Sequence, residues 1–172
     1  MYQINLNGNI KLKKLYKSTK TFGHDLGLSC AFRQWRAESH CRFIHGYALS
    51  IHLEFTSSAL DDRNWVVDFG GFGDIKEWIK ETFDHTTIVA KDDPEVETFE
   101  KLCDAGLIDL IKIDNVGCEA FADYIYKTVS GWLRRKCENA DVLEGVQLTK
   151  VEVREHGANS AIVEVAYNEE TR

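Results

Sequence analysis

A thiol, an imidazole and a glycine lie close together in residues 41–47, directly before a run of alternating apolar residues. A neutral imidazole binds metal ions well, and a thiol beside a cation loses its proton easily. Cys41 and His45 therefore predict thiolate or metal-assisted chemistry. The alternation over residues 47–55 predicts a half-buried strand, which would place His45 on the same face as Leu49. This segment is predicted to be a site at the mouth of a strand.

Two further positions carry side chains suited to proton transfer or ligand binding. Asp84 and His85 follow a predicted helix, where the carboxylate could hold the imidazole. Alternatively, a protonated histidine at a helix end would simply complement the helix dipole. Glu155 shares a predicted strand face with Val151 and Val153, and a carboxylate on an apolar face is costly unless it is paired or binds a ligand. The alternative for Glu155 is an exposed charge just past the strand end.

Basic residues gather in sequence near this predicted site, at Lys17, Lys20, Arg33, Arg36 and Arg42. They could form a pocket for phosphates or an ordinary solvated face. The formal net charge of the chain is -7, which argues against a general nucleic-acid-binding surface. An anionic ligand would therefore need such a local pocket, and no nucleic-acid partner is expected.

The elements that must position these residues follow from periodicity and turn chemistry. The order β-β-β-α-α-β-α-β-β predicts an α+β fold, with an antiparallel sheet and helices on one face. Gly23 and Gly27 predict a break in the first extended segment. The predicted strands are residues 16–32, 47–55, 65–69, 107–113, 148–155 and 161–166, and the predicted helices are residues 74–83, 95–102 and 119–137.

Composition predicts one cytoplasmic domain. A chain of 172 residues with 44% hydrophobic residues can bury one sizeable core. Residues 1–172 are therefore predicted to form a single domain, in which residues 1–12 are a flexible polar extension. The five cysteines form no C-x-x-C pair and no apolar signal segment opens the chain, which predicts free thiols in a reducing compartment. No apolar run approaches the ~20 residues of a membrane helix, so no membrane partner is expected.

Five short motifs occur in order along the chain: Cys41-x-x-x-His45-Gly46, Val67-Asp68-Phe69-Gly70, Phe83-Asp84-His85, Gly117-Cys118-Glu119 and Val153-Arg154-Glu155. In order and spacing they resemble the 6-pyruvoyl-tetrahydropterin synthase and 6-carboxytetrahydropterin synthase family, from about residue 15 to the end of the chain. The gap between Cys41 and His45 looks more like the bacterial 6-carboxytetrahydropterin synthase, an early enzyme of queuosine (7-deazaguanine) synthesis.

The resemblance implies a T-fold, in which a four-stranded antiparallel sheet carries helices on one face and the chains assemble into barrels. Such assemblies are usually homohexamers with sites between subunits. The implied activity is that of a lyase acting on 7,8-dihydroneopterin triphosphate, with release of triphosphate and acetaldehyde. Cys41 would be the general base, and Asp84 and His85 would handle the second proton. Glu155 would bind the amino group and ring N–H of the pterin, and Glu119 would support the pterin pocket or cap the long helix.

The resemblance also implies a zinc ion that polarises the substrate side chain, and here the chain departs from the family pattern. The family has His-Gly-His at the second strand, whereas residue 47 is a tyrosine. The third family histidine corresponds best to Phe32. An alternative register uses His24, and His40 is also near. His45 and His24 are therefore the predicted metal ligands, although a catalytic zinc ion usually has three protein ligands.

Two classes of function follow from these residues. The first is a pterin-processing lyase that makes 6-carboxytetrahydropterin or performs a related side-chain cleavage. The second is a non-catalytic pterin- or purine-binding T-fold protein that keeps the Glu155 anchor and has lost the standard zinc site. A third class, a structural oligomer without a ligand, is opposed by the predicted inward position of Glu155 and by the Asp84-His85 pair.

Overall fold

The computed structural model describes residues 2–4, 10–12 and 14–168 and has an α+β fold. Residues 2–4 and 10–12, within the predicted N-terminal extension, pair with each other, and the rest of residues 1–12 lies outside the described ones. None of the described helices is long and apolar enough to cross a membrane. The strands are β1 (Tyr2–Ile4), β2 (Ile10–Leu12), β3 (Tyr16–Phe22), β4 (Leu28–Phe32), β5 (His45–Ser57), β6 (Thr86–Ala90), β7 (Asp109–Ile113), β8 (Gln147–Arg154) and β9 (Ser160–Glu164), and the helices are α1 (Gly73–Phe83), α2 (Val96–Asp104) and α3 (Cys118–Glu138).

Strands β3 to β9 form one mixed sheet in the order β7-β6-β4-β5-β8-β9, with β3 also paired to β5. Its antiparallel part matches the predicted four strands, since β3 and β4 are two halves of one broken strand and β5, β8 and β9 follow. Strands β6 and β7 extend this part through parallel pairs beside β4. The α+β class is confirmed, whereas a sheet of only four antiparallel strands is not what this chain forms.

The predicted break in the first extended segment is confirmed. Phe22 pairs with Ile51 and Leu28 pairs with Leu49, so residues 23–27 bulge out of the ladder opposite a single residue of β5, Ser50. Gly27 has a φ of 77°, in the left-handed region that favours glycine. The chain then re-enters the sheet in β4, whose far end carries part of the predicted site.

Strand β6 was not predicted, because it lacks the alternation that identifies a half-buried strand. All five of its residues are buried. A strand in parallel pairing is typically covered on both faces and therefore shows no alternation of apolar and polar residues. Because β6 begins directly after Asp84 and His85, these two residues lie where the chain enters the sheet.

No strand forms over residues 65–69, and that prediction is wrong. Side-chain oxygens accept hydrogen bonds from backbone N–H groups at the two ends of this segment, so these groups do not pair with a neighbouring strand. The Oδ1 atom of Asp61 accepts a hydrogen bond from the N–H of Trp65 at 2.8 Å, and Oδ1 of Asp68 accepts one from Gly70 at 2.8 Å. Such local bonds compete with strand pairing. The segment instead leads through a short 3₁₀ turn into α1.

The main core lies between the sheet and the helices α1 and α3. The predicted apolar face of α3 is confirmed, since Phe121, Ile125, Val129 and Trp132 are all buried. The rings of Phe121 and Phe32 meet edge to face, with their centroids 5.0 Å apart. This contact holds the end of β4 against the first turns of α3.

Helix α2 covers the other face of the parallel strands. Ile88 and Ala90 of β6 belong to the main core, whereas Val89 of β6 and Phe99 of α2 are buried outside it. Alternate residues of a strand point to opposite faces, so α2 packs on the face away from α1 and α3. The helices therefore do not all lie on one face, in contrast to the predicted arrangement.

A buried ion pair ties the segment after β4 to the loop before α2. The side chain of Asp93 is 0% exposed, and it accepts hydrogen bonds from Nε and Nη2 of Arg33 at 2.8 and 2.5 Å. It also accepts one from the backbone N–H of Glu95 at 2.9 Å. Burial opposes ionisation of Asp93, but the Arg33 hydrogen bond, the Glu95 N–H and the Arg33 charge together hold its pKa below the usual value.

Asp93→Asn is expected to lower the free energy of unfolding by about 2 kcal/mol at neutral pH, because it leaves the Arg33 guanidinium without its carboxylate. The native pKa of Asp93 lies below the unfolded value of about 4, so ionised Asp93 stabilises the fold above that pH. This stabilisation is lost as the pH falls through the native pKa, and the difference between the variant and the natural protein should then shrink.

Urea unfolding at neutral and acidic pH measures both effects of Asp93→Asn. The control is Asp92→Asn, which removes an exposed carboxylate that pairs with Arg36 and accepts a hydrogen bond from Nε1 of Trp35 at 3.3 Å, and it should change stability by less than about 0.5 kcal/mol. Equal losses in the two variants would contradict the structural role of Asp93.

Candidate functional site

The mouth of the ladder between β4 and β5 brings several of the predicted site residues to one face. Phe32 pairs with His45, and Cys30 pairs with Tyr47. The alternation of β5 places His45 and Tyr47 on the face of buried Leu49, as the sequence predicts. Two aromatic positions therefore stand next to the predicted imidazole, one across the ladder and one along the strand.

Close approach of the two strands requires glycine at position 46. A Cβ atom there would lie 2.5 Å from the carbonyl oxygen of Cys30, which is backbone and cannot rotate away. Glycine is the residue that permits such an approach. Gly46 thus keeps the ladder intact between the two side chains that face the site.

Four rings pack at this mouth and are here named the aromatic cluster: Phe32, His45, Tyr47 and His156. Ring centroids are 4.8 Å apart for Phe32 and His45, 5.6 Å for His45 and Tyr47, and 6.0 Å for Tyr47 and His156. The Nδ1 atom of His45 is 2.8 Å from the carbonyl oxygen of Phe43. A carbonyl only accepts, so Nδ1 donates, and Nε2 of the neutral ring is left as an acceptor.

A second group of side chains lies within electrostatic range of Tyr47 and, with it, is here named the polar cluster: Cys41, Tyr47, Cys118 and Glu155. Burial raises the pKa of Tyr47, and the charges that Glu155, Cys41 and Cys118 carry when ionised raise it further. The phenol is therefore neutral near pH 7 and can donate a hydrogen bond. Cys41 itself is half-buried and free. The fold thus brings Cys41 and Glu155, which are far apart in the chain, to one tyrosine ring.

Cys118 is a member of the polar cluster for which the sequence, beyond its place in the Gly117-Cys118-Glu119 motif, predicted no role. Burial raises the pKa of this thiol to about 12, and the charge of Glu155 and a hydrogen bond from the thiol to its carboxylate contribute. The available signal was Gly117, whose φ of 112° lies in the region that favours glycine and sets Cys118 at the start of α3. Glu119 follows and is exposed in the first turn, where a carboxylate complements the helix dipole.

Glu155 lies one residue past the end of β8 and is half-buried. Its backbone N–H donates to the carbonyl oxygen of Asn159 at 3.2 Å, so it belongs to the turn and not to the ladder. The inward face on which it was predicted ends with the buried Val153. Contact with Cys118 and Tyr47 nevertheless keeps the carboxylate from being a solvated charge beyond the strand.

The side chains of Asp84 and His85 are hydrogen-bonded to each other. The Nδ1 atom of His85 donates to Oδ1 of Asp84 at 2.6 Å, because the carboxylate can only accept. The His85 side chain is 86% exposed. The next residue opens β6, which is two strands from β5 and Tyr47, a separation of about 10 Å. Within the described part of the chain, no contact joins this pair to Cys41.

The predicted metal ligands His45 and His24 are not brought together. His24 is exposed in the bulge between β3 and β4, and its Nδ1 is 2.6 Å from the carbonyl oxygen of Ala48. His40 is also exposed. Among residues 2–4, 10–12 and 14–168, no group of three or more His, Cys, Asp or Glu side chains could hold a metal ion. The donors at the aromatic cluster therefore do not fit the implied zinc.

The basic residues considered for a phosphate pocket are mostly paired with carboxylates. Arg42 instead lies over the ring of Phe43, 4.9 Å from its centroid. Because their charges are already balanced, the paired residues do not favour a phosphate pocket built from the whole set. The pairs are Lys17 with Glu54, Arg33 with Asp93 and Arg36 with Asp92.

Comparisons with known proteins relate this chain to tetrahydropterin synthases. A family model described as 6-pyruvoyl tetrahydropterin synthase matches residues 24–166. The chain is similar to 6-carboxy-5,6,7,8-tetrahydropterin synthases of Rickettsia felis and Rickettsia conorii, with 35% identity over 60 residues in each case. Each match covers 34% of this chain and 44% of the relative, which is less than half of the relative's length.

Solved structures share the fold over most of the chain. An uncharacterized protein of Wolinella succinogenes has a TM-score of 0.68 at 21% identity, covering 88% of this chain and 98% of its own. The 6-pyruvoyl tetrahydropterin synthase of Plasmodium falciparum has a TM-score of 0.58 at 16% identity, covering 87% of this chain and 96% of its own. At such identities the likeness shows a common fold.

Proposed function

This chain belongs to the 6-pyruvoyl tetrahydropterin synthase family, and from that premise we propose that it binds a reduced pterin and acts as a tetrahydropterin synthase. The proposed activity is that of a 6-carboxytetrahydropterin synthase-like lyase on 7,8-dihydroneopterin triphosphate, in queuosine or pterin synthesis. The observation that supports the proposal is the polar cluster, in which the predicted base Cys41 and the predicted anchor Glu155 both lie within electrostatic range of Tyr47.

Glu155 is proposed to bind the pterin ring. An ionised carboxylate can accept hydrogen bonds from the exocyclic amino group and the adjacent ring N–H, and such charge-assisted pairs are strong. The Cys118 thiol, whose pKa the Glu155 carboxylate helps to raise, lies near this carboxylate and would support its orientation. The aromatic cluster offers ring faces against which a planar bicycle can pack. Specificity for a pterin would come from the carboxylate and affinity partly from the rings.

Cys41 is proposed to remove a carbon-bound proton from the substrate side chain. In the carboxy-forming reaction triphosphate leaves with the electron pair of its C–O bond, one water is consumed, and the two terminal carbons depart as acetaldehyde. A second proton must move during these steps. Asp84 holds Nδ1 of His85, so that Nε2 is free to accept or return this proton.

No step of this proposal passes through zinc, because the donors at the aromatic cluster do not fit the ion. Nε2 of His45 and the phenol of Tyr47 are the groups available to hydrogen-bond the hydroxyls of the substrate side chain. They would orient these hydroxyls without the charge that a metal ion would add.

Self-association, with a homohexamer as the proposed state, is part of the same account. Within one chain, His85 lies about two strand spacings from Tyr47, too far to share the site with Cys41. Because the His85 side chain is 86% exposed, the Asp84-His85 pair of one subunit can instead serve the Cys41 of its neighbour. Phe43 and Ile44, next to the site cysteine, are 59% and 55% exposed, which suits a subunit contact. Mass measurement by light scattering tests this, and a monomer that turns over substrate would contradict it.

A second candidate function is non-catalytic binding of a pterin or purine. The observation that favours it is the replacement of zinc donors by aromatic side chains beside His45. This alternative shares the Glu155 anchor with the first proposal and lacks only the chemistry.

Anaerobic incubation with 7,8-dihydroneopterin triphosphate, followed by product analysis by mass spectrometry, tests the proposed function. We expect 6-carboxytetrahydropterin and acetaldehyde in equal amounts. Retention of unchanged substrate by the protein would favour the binding protein over the lyase. If the substrate is neither converted nor bound, both candidates fail.

A further inference from the structure

Three rings of the aromatic cluster form a triangle with the dimensions of a three-histidine metal site. The centroid distances are 4.8 Å for Phe32 and His45, 5.6 Å for His45 and Tyr47, and 6.2 Å for Phe32 and Tyr47. Three imidazoles bound to one tetrahedral zinc, with Zn–N distances of about 2.0–2.1 Å, would have centroids roughly 5 Å apart. The three rings therefore have roughly the spacing that a zinc ion requires, but two of the three side chains are not zinc ligands.

His45 already has the orientation that a zinc ligand needs. Metal-bound histidines usually donate their second N–H to a carbonyl or carboxylate, which fixes the ring. Here Nδ1 of His45 donates to the carbonyl oxygen of Phe43 at 2.8 Å and Nε2 carries the lone pair. Phenylalanine offers no donor atom, and zinc sites in proteins are built from Cys, His, Asp and Glu. The triangle therefore lacks a metal site because the side chains at positions 32 and 47 supply no imidazole nitrogen.

We propose that Phe32 and Tyr47 are the residues that make this site metal-free, and that the imidazole of His45 and the phenol of Tyr47 contact the ligand directly where a metal ion would otherwise lie. The proposal concerns the same site as the proposed function. Its test measures zinc and not a pterin, so either one can fail while the other stands.

The test compares zinc binding by the natural protein and by the double variant Phe32→His/Tyr47→His. After dialysis against chelator and then against zinc at a fixed free concentration, metal content is measured by mass spectrometry. We expect less than ~0.1 zinc per chain in the natural protein and about one per chain in the double variant. Stoichiometric zinc in the natural protein that is lost in His45→Ala would overturn the proposal.

The matched control is Phe32→Leu/Tyr47→Phe, which changes the same positions without adding donors and should bind no more zinc than the natural protein. A double histidine variant that folds, by circular dichroism, yet binds no more zinc than this control would also overturn the proposal. If the double variant does not fold, zinc binding by the single variant Tyr47→His is the test. Position 47 is half-buried and not fully buried, so this single change should be tolerated. Two imidazoles on one strand face should raise zinc affinity at least about tenfold, and unchanged affinity would contradict the inference.

Discussion

Cys41→Ser is expected to lower the turnover of 7,8-dihydroneopterin triphosphate by roughly 10³-fold, because a positioned general base contributes about 10²- to 10⁴-fold. A hydroxyl fits the space of the thiol but does not ionise near neutral pH. The dissociation constant of the substrate should change by less than about threefold, since binding is assigned to Glu155 and the rings. Single-turnover kinetics with a separate binding measurement distinguish the two effects.

The control for this variant is Cys103→Ser, in α2 and away from the polar cluster. Cys103 is half-buried and free like Cys41, so its replacement tests for a general effect of losing a thiol. It should leave turnover within about twofold of the natural value. A Cys41→Ser variant that keeps full turnover would remove Cys41 from the chemistry.

Glu155→Gln is expected to weaken the binding of reduced pterins by about 100-fold, or about 2.7 kcal/mol, because an uncharged amide replaces the charge-assisted acceptor. Part of the amide would present N–H groups to the donors of the pterin ring. The Cys118 thiol would also lose its ionised partner. Fluorescence or calorimetric titration with 7,8-dihydroneopterin measures the loss.

Glu164→Gln serves as the matched control, since Glu164 is an exposed strand glutamate on β9. Binding by that variant should stay within about twofold of the natural protein. If both glutamine variants bind equally well, Glu155 is not the anchor, and the pterin proposal loses its central contact.

The parts of the fold with clear periodicity were predictable from the sequence. The amphipathic faces of α1 and α3, the alternation of β5 and the break at the glycines before β4 all follow from local patterns. The site residues of β5 were predictable for the same reason, because alternation fixes which face His45 and Tyr47 share.

Other features depend on tertiary pairing and have no local signal. Strand β6 is buried on both faces, so its sequence shows no alternation of apolar and polar residues. Residues 65–69 look like a strand, yet Asp61 accepts a hydrogen bond from the backbone N–H of Trp65, and Asp68 accepts one from that of Gly70, just after the segment. Cys118 meets Glu155 only because α3 begins beside the end of β8. Likewise, the failure of His24 to reach His45 follows from the bulge that turns it toward Ala48.

The most direct test of the account is a calorimetric titration of the natural protein, freed of metal by chelator, with 7,8-dihydroneopterin. This ligand keeps the pterin ring and lacks the triphosphate that leaves during the reaction. The account predicts binding of about one molecule per chain with micromolar affinity, abolished or greatly weakened in Glu155→Gln. Absence of binding by the natural protein, or equal binding by the variant, would contradict a pterin site at the polar cluster.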